Sequence, residues 1–418
     1  MLKQMILSIR LAFRNLHNNK GRTILTLVGV VIGIMSIIVI NSSGQAVKSY
    51  VLSEFESYGD DIIQIEPKVP STSAVSSGNA AGQAMGIQIT TLKESDAKEL
   101  ERLSNVKGYA YGTIGQEIVS YKGENKKALI FGVSANYPAI DSATKVSEGN
   151  FYTENEDRNL AQVVVIGKDI KDVLFGSDNA IGKNIRIKGM NFKVIGVAEE
   201  RGAVTFVNYD EMIYMPARTL QKKVLGVDYI KFITVEVEDV GKIEATAAEI
   251  ADTMKRLHKT YKPEQEDFLV MTMQEARKMI DDIFGTITIL LLALTSISLV
   301  VGGVGIMNVM YVAVVERTFE IGLRKALGAR SKNVLRQFLF EAVIITVMGG
   351  IVGVILGFLA NLLLSYVFNL LGFELKLPLT LNSILLGVCF SAATGIIFGY
   401  YPALKASRLS PMEAMRKE

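Results

Sequence analysis

The residues best suited by type and spacing to do chemistry lie in one short run: Glu316-Arg317-Thr318-Phe319-Glu320-Ile321-Gly322-Leu323-Arg324-Lys325-Ala326-Leu327-Gly328-Ala329-Arg330. The chemistry they offer is recognition, not bond-making. Glu320 and Arg324 stand four apart, so a helix would join them as an ion pair in the favourable order. Glu316 and Glu320 would share that face, a like-charge pair that invites a basic partner. Ile321, Leu323, Ala326 and Leu327 supply apolar contacts, and Gly328 is placed to end the helix. An amphipathic segment that docks on a partner is therefore expected here.

Other candidates are poorer. Residues 176–184 approach a phosphate loop, with Gly176, Gly182 and Lys183. The spacing is one residue too long, however, and Asn184 stands where a magnesium-binding hydroxyl belongs. A turn leading into a strand is expected instead. His258 has no second His or Cys nearby and is expected on a helix surface. Residues 152–158 read as a polar loop without paired acid–base geometry. With two histidines and the single cysteine Cys389, no catalytic, cofactor-binding or metal-ligating residue is expected.

The elements that hold the charged run are apolar. Uncharged stretches from Ile283 to Val315 and from Ala342 to Phe373 flank it, and each exceeds the roughly 20 residues needed to cross a bilayer. The chain of 418 residues is 49% hydrophobic with a net charge of +3. That composition suits a membrane protein with a substantial polar part and excludes a disordered or nucleic-acid-binding chain. Four spans are expected, at residues 23–45, 284–315, 337–370 and 381–402. Residues 1–22 read as an amphipathic cytoplasmic helix, 316–336 as the cytoplasmic charged segment, 371–380 as a short outer loop and 403–418 as a cytoplasmic tail. Basic residues beside the spans place both termini in the cytoplasm of a multi-pass protein of the inner or plasma membrane. No ionisable residue is expected at the middle of a span, which argues against an ion-driven transporter. Glycines such as Gly29, Gly302, Gly349 and Gly353 suggest close helix approach, for packing or for a dimer seam.

Residues 46–283 lie between spans one and two and are long enough for a core of their own. Alternating strands are expected at Gln116–Tyr121, Lys127–Gly132, Gln162–Gly167, Ile185–Lys188, Asn191–Val197 and Ile230–Val237. Helices are expected from Thr91, where Thr91 and Glu94 outline a capping box, and at Lys242–Lys259. Pro70–Gly86 reads as a mobile loop. The fold class is thus an α-helical membrane protein with four transmembrane helices and a large α+β extracytoplasmic domain inserted between helices one and two, of one or two lobes, on a stalk formed by extensions of those helices.

The charged run, followed by Gln337-Phe338-Leu339-Phe340-Glu341-Ala342, closely resembles the signature of MacB-type ABC transporter permeases, a group that includes FtsX and the lipoprotein-releasing permeases LolC and LolE. The closing segment with Gly399, Pro402, Ala403, Ala406, Arg408 and Pro411 is similar to the family's C-terminal motif. So are Val165-Ile166-Gly167, Ile181-Gly182-Lys183, Val194-Ile195-Gly196-Val197 and Ala12-Phe13-Arg14-Asn15-Leu16.

The resemblance implies a homodimer bound to two copies of an ABC ATPase, which supplies the ATP and magnesium chemistry. Glu316, Arg317, Glu320, Ile321, Gly322, Arg324, Lys325, Ala326, Gly328 and Ala329 would couple to that ATPase. ATP-driven motion would pass to the outer domain, a mechanism called mechanotransmission. Only about 20 residues precede span one, so the ATPase is expected as a separate chain. Efflux of drugs, peptides or toxins, with a membrane-fusion adaptor outside, is the first functional expectation. Activation of a cell-wall hydrolase or sensor, or lipoprotein release, is the alternative.

Overall fold

A computed structural model describes residues 20–56, 59–70, 89–204, 207–370 and 377–416. Residues 1–19 of the expected amphipathic helix, 71–86 of the expected mobile loop and 371–376 of the expected outer loop lie outside the described residues.

In chain order, helix α1 (Lys20–Glu56) precedes strand β1 (Ile62–Pro67) and helix α2 (Glu94–Leu100). The long strand β2 (Val106–Tyr121) and β3 (Glu124–Val133) follow, then β4 (Val146–Gly149), α3 (Glu154–Arg158), β5 (Val163–Ile166) and α4 (Lys168–Phe175). Next come β6 (Asn184–Ile187), β7 (Met190–Ala198), the short pair β8 (Ala203–Val204) and β9 (Val207–Asn208), and β10 (Met212–Pro216). The insertion closes with β11 (Phe232–Val237), α5 (Ile243–His258) and β12 (Phe268–Thr272). The remaining helices are α6 (Met273–Glu316), α7 (Thr318–Ala326), α8 (Ser331–Leu370), α9 (Leu381–Arg408) and α10 (Pro411–Arg416).

The chain divides into two compact units, Tyr50–Ile280 and the segments on either side of it. Four helices, lying wholly or mostly in the flanking segments, are long and apolar enough to span a bilayer: Leu27–Leu52, Met273–Glu316, Ser331–Leu370 and Leu381–Arg408. The 44 residues of α6 measure roughly 66 Å at about 1.5 Å per residue, about twice the roughly 30 Å of hydrocarbon in a bilayer. Glycine brings these helices together inside one chain. A Cβ placed at Gly29 would lie 2.8 Å from Gly302, one at Gly353 would lie 2.9 Å from Ile34, and one at Gly357 would lie 2.8 Å from Ile38. The small residues thus serve intrachain packing. Val30, Ile34, Ile37 and Ile38 of α1 are buried with Leu299, Ile306 and Met310 of α6 and with Phe338, Ala342 and Ile345 of α8.

The inserted unit is a mixed α/β domain. Ten strands share one sheet, in the order β12-β1-β11-β2-β3-β10-β5-β7-β4, with β6 paired to β2 and β7. The β10–β3 and β5–β7 pairings are parallel and the others antiparallel. Helices α2 and α5 cover one end of the sheet through Ala97, Leu100, Ile250 and Met254, with Leu92 just before α2 buried beside them. Helix α4 covers the other with Ile170, Leu174 and Phe175. Strand β2 serves both ends: Val106–Gly112 pair with β11, and Gly112–Tyr121 pair with β3. This one sheet carries three buried hydrophobic clusters.

Residues 176–184 form the expected turn. Gly176 ends α4 with φ 57°, Gly182 also has positive φ, and β6 begins at Asn184. Helix α2 starts three residues later than Thr91, because the Lys93 amide donates to Asp96 Oδ2 at 2.7 Å and fixes the first turn there. The expected polar loop at 152–158 is instead the helical turn α3. Thr153 caps it, its amide donating to Glu156 at 2.7 Å, and Asp157 is buried. Burial raises the Asp157 pKa, while the Tyr111 hydroxyl (3.3 Å) and the Arg218 amide (3.0 Å) donate to it. The Arg218 guanidinium in turn clasps both oxygens of Glu94.

His258 departs furthest from expectation. Its side chain is only 7% exposed, with Nδ1 2.9 Å from Asp267 and Nε2 3.3 Å from Asp96. The C-terminal end of α5 delivers the ring between these carboxylates, and hydrogen bonds to Asp267 and Asp96 raise its pKa to about 9.

Candidate partner-coupling site

The charged run folds as a helix set off by a break at each end. Helix α6 ends at Glu316, Arg317 is the N-cap of α7, and α7 stops at Ala326. Gly328, at φ 93°, turns the chain, and Ser331 opens α8. Glu316 and Glu320 therefore stand on different helices, both exposed, and the expected single face carrying the two glutamates does not form. The i,i+4 pair between Glu320 and Arg324 does form.

The basic residues of the run are mostly committed inward. Arg317 pairs with Glu341 of α8 at 3.3 Å, and Glu341 is 1% exposed. Arg324 donates from its second guanidinium nitrogen to Gln337 of α8 at 2.9 Å. Lys325 donates its Nζ protons to the backbone carbonyls of Ser407 and, at 2.8 Å, of Leu409, just where α9 ends. Carbonyls at a helix C-terminus lack donors from a following turn, so the ammonium acts as a C-cap supplied from elsewhere in the chain. Ile321 is buried in the bundle core. Gly322 is buried against α10, where any Cβ would collide with the methyl of Ala414.

A different set of side chains faces outward. Phe319, Leu323 and Leu327 are exposed hydrophobics, and Glu316, Glu320, Ala326 and Gly328 are exposed beside them, with Ala329 half-buried. Leu327, at 81% exposed, projects furthest. The site is thus a short helix with an acidic and apolar outer face, fixed to two spans by buried polar contacts.

The sequence reading placed Gly322, Lys325 and Ile321 among the coupling residues, and the structure turns all three inward. It did not single out Phe319 as a contact, nor Glu341 and Gln337 as anchors. Glu341 did leave a signal: it is a carboxylate at the very edge of a long apolar run, where an unpaired charge would be costly.

A multi-pass membrane protein with a mixed α/β insertion after its first span is the class these elements define. Residues 23–253 match the family model of the MacB-like periplasmic core domain, and residues 292–411 match that of the FtsX-like permease C-terminal region. The chain belongs to the MacB/FtsX family of permeases.

Among its relatives are proteins described as macrolide export ATP-binding/permease protein MacB. That of Bdellovibrio bacteriovorus is 32% identical over 418 residues, covering 100% of this chain and 62% of the relative. That of Chlorobium luteolum is 36% identical over 411 residues, covering 98% and 60%. The chain thus spans less than two thirds of the length of these relatives. Among solved structures, the periplasmic region of MacB from Actinobacillus actinomycetemcomitans aligns with 22% identity and a TM-score of 0.45, covering 55% of this chain and 97% of that one.

Proposed function

We propose that this chain is the membrane component of an ABC transporter, and that the outer face of α7 docks on an ABC ATPase. The observation that carries the proposal is the division of α7: exposed Phe319, Glu320, Leu323 and Leu327 on one side, with exposed Glu316 at the end of α6 next to it, and the anchors to α8 and α9 on the other. A soluble loop gains nothing from presenting three large apolar side chains to water. A rigid helix that presents them to a fixed partner gains a defined contact. The acidic pair selects a partner surface with basic residues.

In this reading α7 and both termini face the cytoplasm, the α/β domain lies outside, and ATP with magnesium is used by the ATPase. Two such chains pair with two ATPase copies, and hydrolysis drives motion of the α/β domain by mechanotransmission. That the relatives are described as macrolide export proteins supports efflux of a drug, peptide or toxin; a membrane-fusion adaptor is proposed as a further partner. The ATPase is proposed as a separate subunit.

The test is co-purification of the full chain with the ABC ATPase encoded beside it, followed by hydrolysis assays in lipid nanodiscs. The expected result is a complex whose hydrolysis rate depends on the permease, and whose affinity falls about tenfold or more for Glu320→Lys combined with Leu327→Asp. A complex indifferent to both substitutions would refute docking through α7. Drug accumulation in cells lacking the chain then tests efflux: unchanged accumulation for every compound in a macrolide and peptide panel would set export aside.

A further inference from the structure

Helix α7 is broken from its neighbours in sequence at both ends, by Arg317 before it and by the turn at Leu327–Arg330 after it. A helix held only by such turns would swivel when pushed. The contacts described above prevent this, and they are unevenly distributed. Two of them, Arg317–Glu341 and Arg324–Gln337, hold α7 to α8, its immediate successor. The others reach far along the chain, to the end of α9 and to α10. Lys325 caps the carbonyls of Ser407 and Leu409 at the end of α9, and Gly322 accepts the methyl of Ala414, which is 0% exposed. Within the same seam Ala403 and Ala406 of α9 are wholly buried. Close packing resists compression and transmits displacement.

We propose that Gly322, Lys325 and Ala414 form a transmission joint that couples α7 directly to the last span, α9. They are positioning residues and not docking residues. The proposal rests on the ATPase-docking reading and adds a route to it: displacement of α7 is passed to α9 through side-chain and backbone contact, without travelling through the length of α8. It separates two kinds of residue within one short run. Those facing out set affinity for the partner, and those facing in set how much of the partner's motion reaches the span.

The chain carries its own reporter. Cys389, its single cysteine, lies exposed on α9. The full chain, labelled there with an environment-sensitive fluorophore in detergent, is reconstituted in nanodiscs with a cysteine-free form of the ABC ATPase encoded beside it. ATP is then added. Gly322→Ala inserts a methyl where Ala414 already sits. It should leave ATPase affinity within about twofold of the parent while reducing the ATP-dependent Cys389 signal about tenfold. Ala414→Gly in the same chain removes the opposing methyl and should restore most of the signal. Lys325→Met, which introduces no steric conflict, should reduce the signal with affinity likewise kept.

Three results would overturn the joint: a full Cys389 signal in Gly322→Ala and Lys325→Met, no recovery in the size-swapped pair, or loss of ATPase binding parallel to that in Glu320→Lys. Absence of binding by the unmodified chain is a separate outcome. It would remove the docking reading and, with it, the joint as a transmission element.

Discussion

The bundle and the α/β domain bury charge in opposite ways. In the α/β domain, charged groups are tied into the fold: Arg218 clasps Glu94, Asp157 accepts hydrogen bonds from the Tyr111 hydroxyl and the Arg218 backbone amide, and His258 bridges two aspartates. Each tie joins a helix to distant chain, so charge there helps specify the fold. In the bundle, the long stretches where helices meet are held by glycine against aliphatic side chains. The buried ion pair of the described bundle, Arg317–Glu341, sits beside α7. Charge there marks a place and does not build the fold. A membrane interior tolerates few ionisable groups, and those it keeps collect where a partner is proposed to act.

The sharpest way to break this contrast is Glu341→Ala. Arg317 would be left half-desolvated without its carboxylate, and removing one partner of a buried pair costs about 3–5 kcal/mol. Thermal unfolding of the full chain in nanodiscs should show that loss, and a change below about 1 kcal/mol would mean the pair is screened by water. Gly353→Leu attacks the other half of the comparison, since a side chain there meets Ile34 and the Val31 carbonyl at 2.9 Å. Overpacking of this kind costs about 1–3 kcal/mol, read as a reduced yield of monodisperse protein.

His258 gives the α/β domain a pH dependence. The charged ring is favoured by Asp267 and Asp96, so its folded pKa lies near 9, above the ordinary 6.5. Its contribution is fully present below about pH 6.5 and is lost as pH rises through about 9. The melting temperature of the domain transition should therefore fall across that window in the parent chain and stay flatter in His258→Gln. Equal slopes in the two proteins would exclude the bridge as the cause. The smallest expected effect on stability belongs to Glu320→Gln. It breaks an exposed helical pair worth about 0.3–0.5 kcal/mol, and a melting shift beyond a few degrees would show that Glu320 has a structural role as well.

Much of the bundle is legible in the sequence, because apolar length alone announces a span and charge density announces α7. The strands with clean alternation were legible too: in β6, Ile185 and Ile187 are buried while Asn184 and Arg186 are exposed. What escaped has physical reasons. Strand β10 is five consecutive buried residues ending in Pro216, with no period to betray it. Strand β12 runs into α6 without a linker, so its residues blend into an apolar helix start. His258 finds Asp96 across 162 positions, a distance no local pattern encodes. At α7 the sequence outlined a helix but not its orientation. The inward turn of Gly322 and Lys325 depends on Ala414, Ser407 and Leu409, which only the fold brings near.

The pairing of β1 with β12 has a mechanical consequence. The first follows α1 and the second leads directly into α6, and their register runs from Ile63 opposite Thr272 to Pro67 opposite Phe268. Because the strands are antiparallel, both connections to the spanning helices leave from the same end of the ladder. A force that spreads α1 from α6 therefore loads this ladder as a zipper, one hydrogen-bonded pair at a time beginning at Ile63 and Thr272. Peeling of this kind meets one pair of strand partners at a time, so the seam yields more readily to having that end drawn open than to shear along its length.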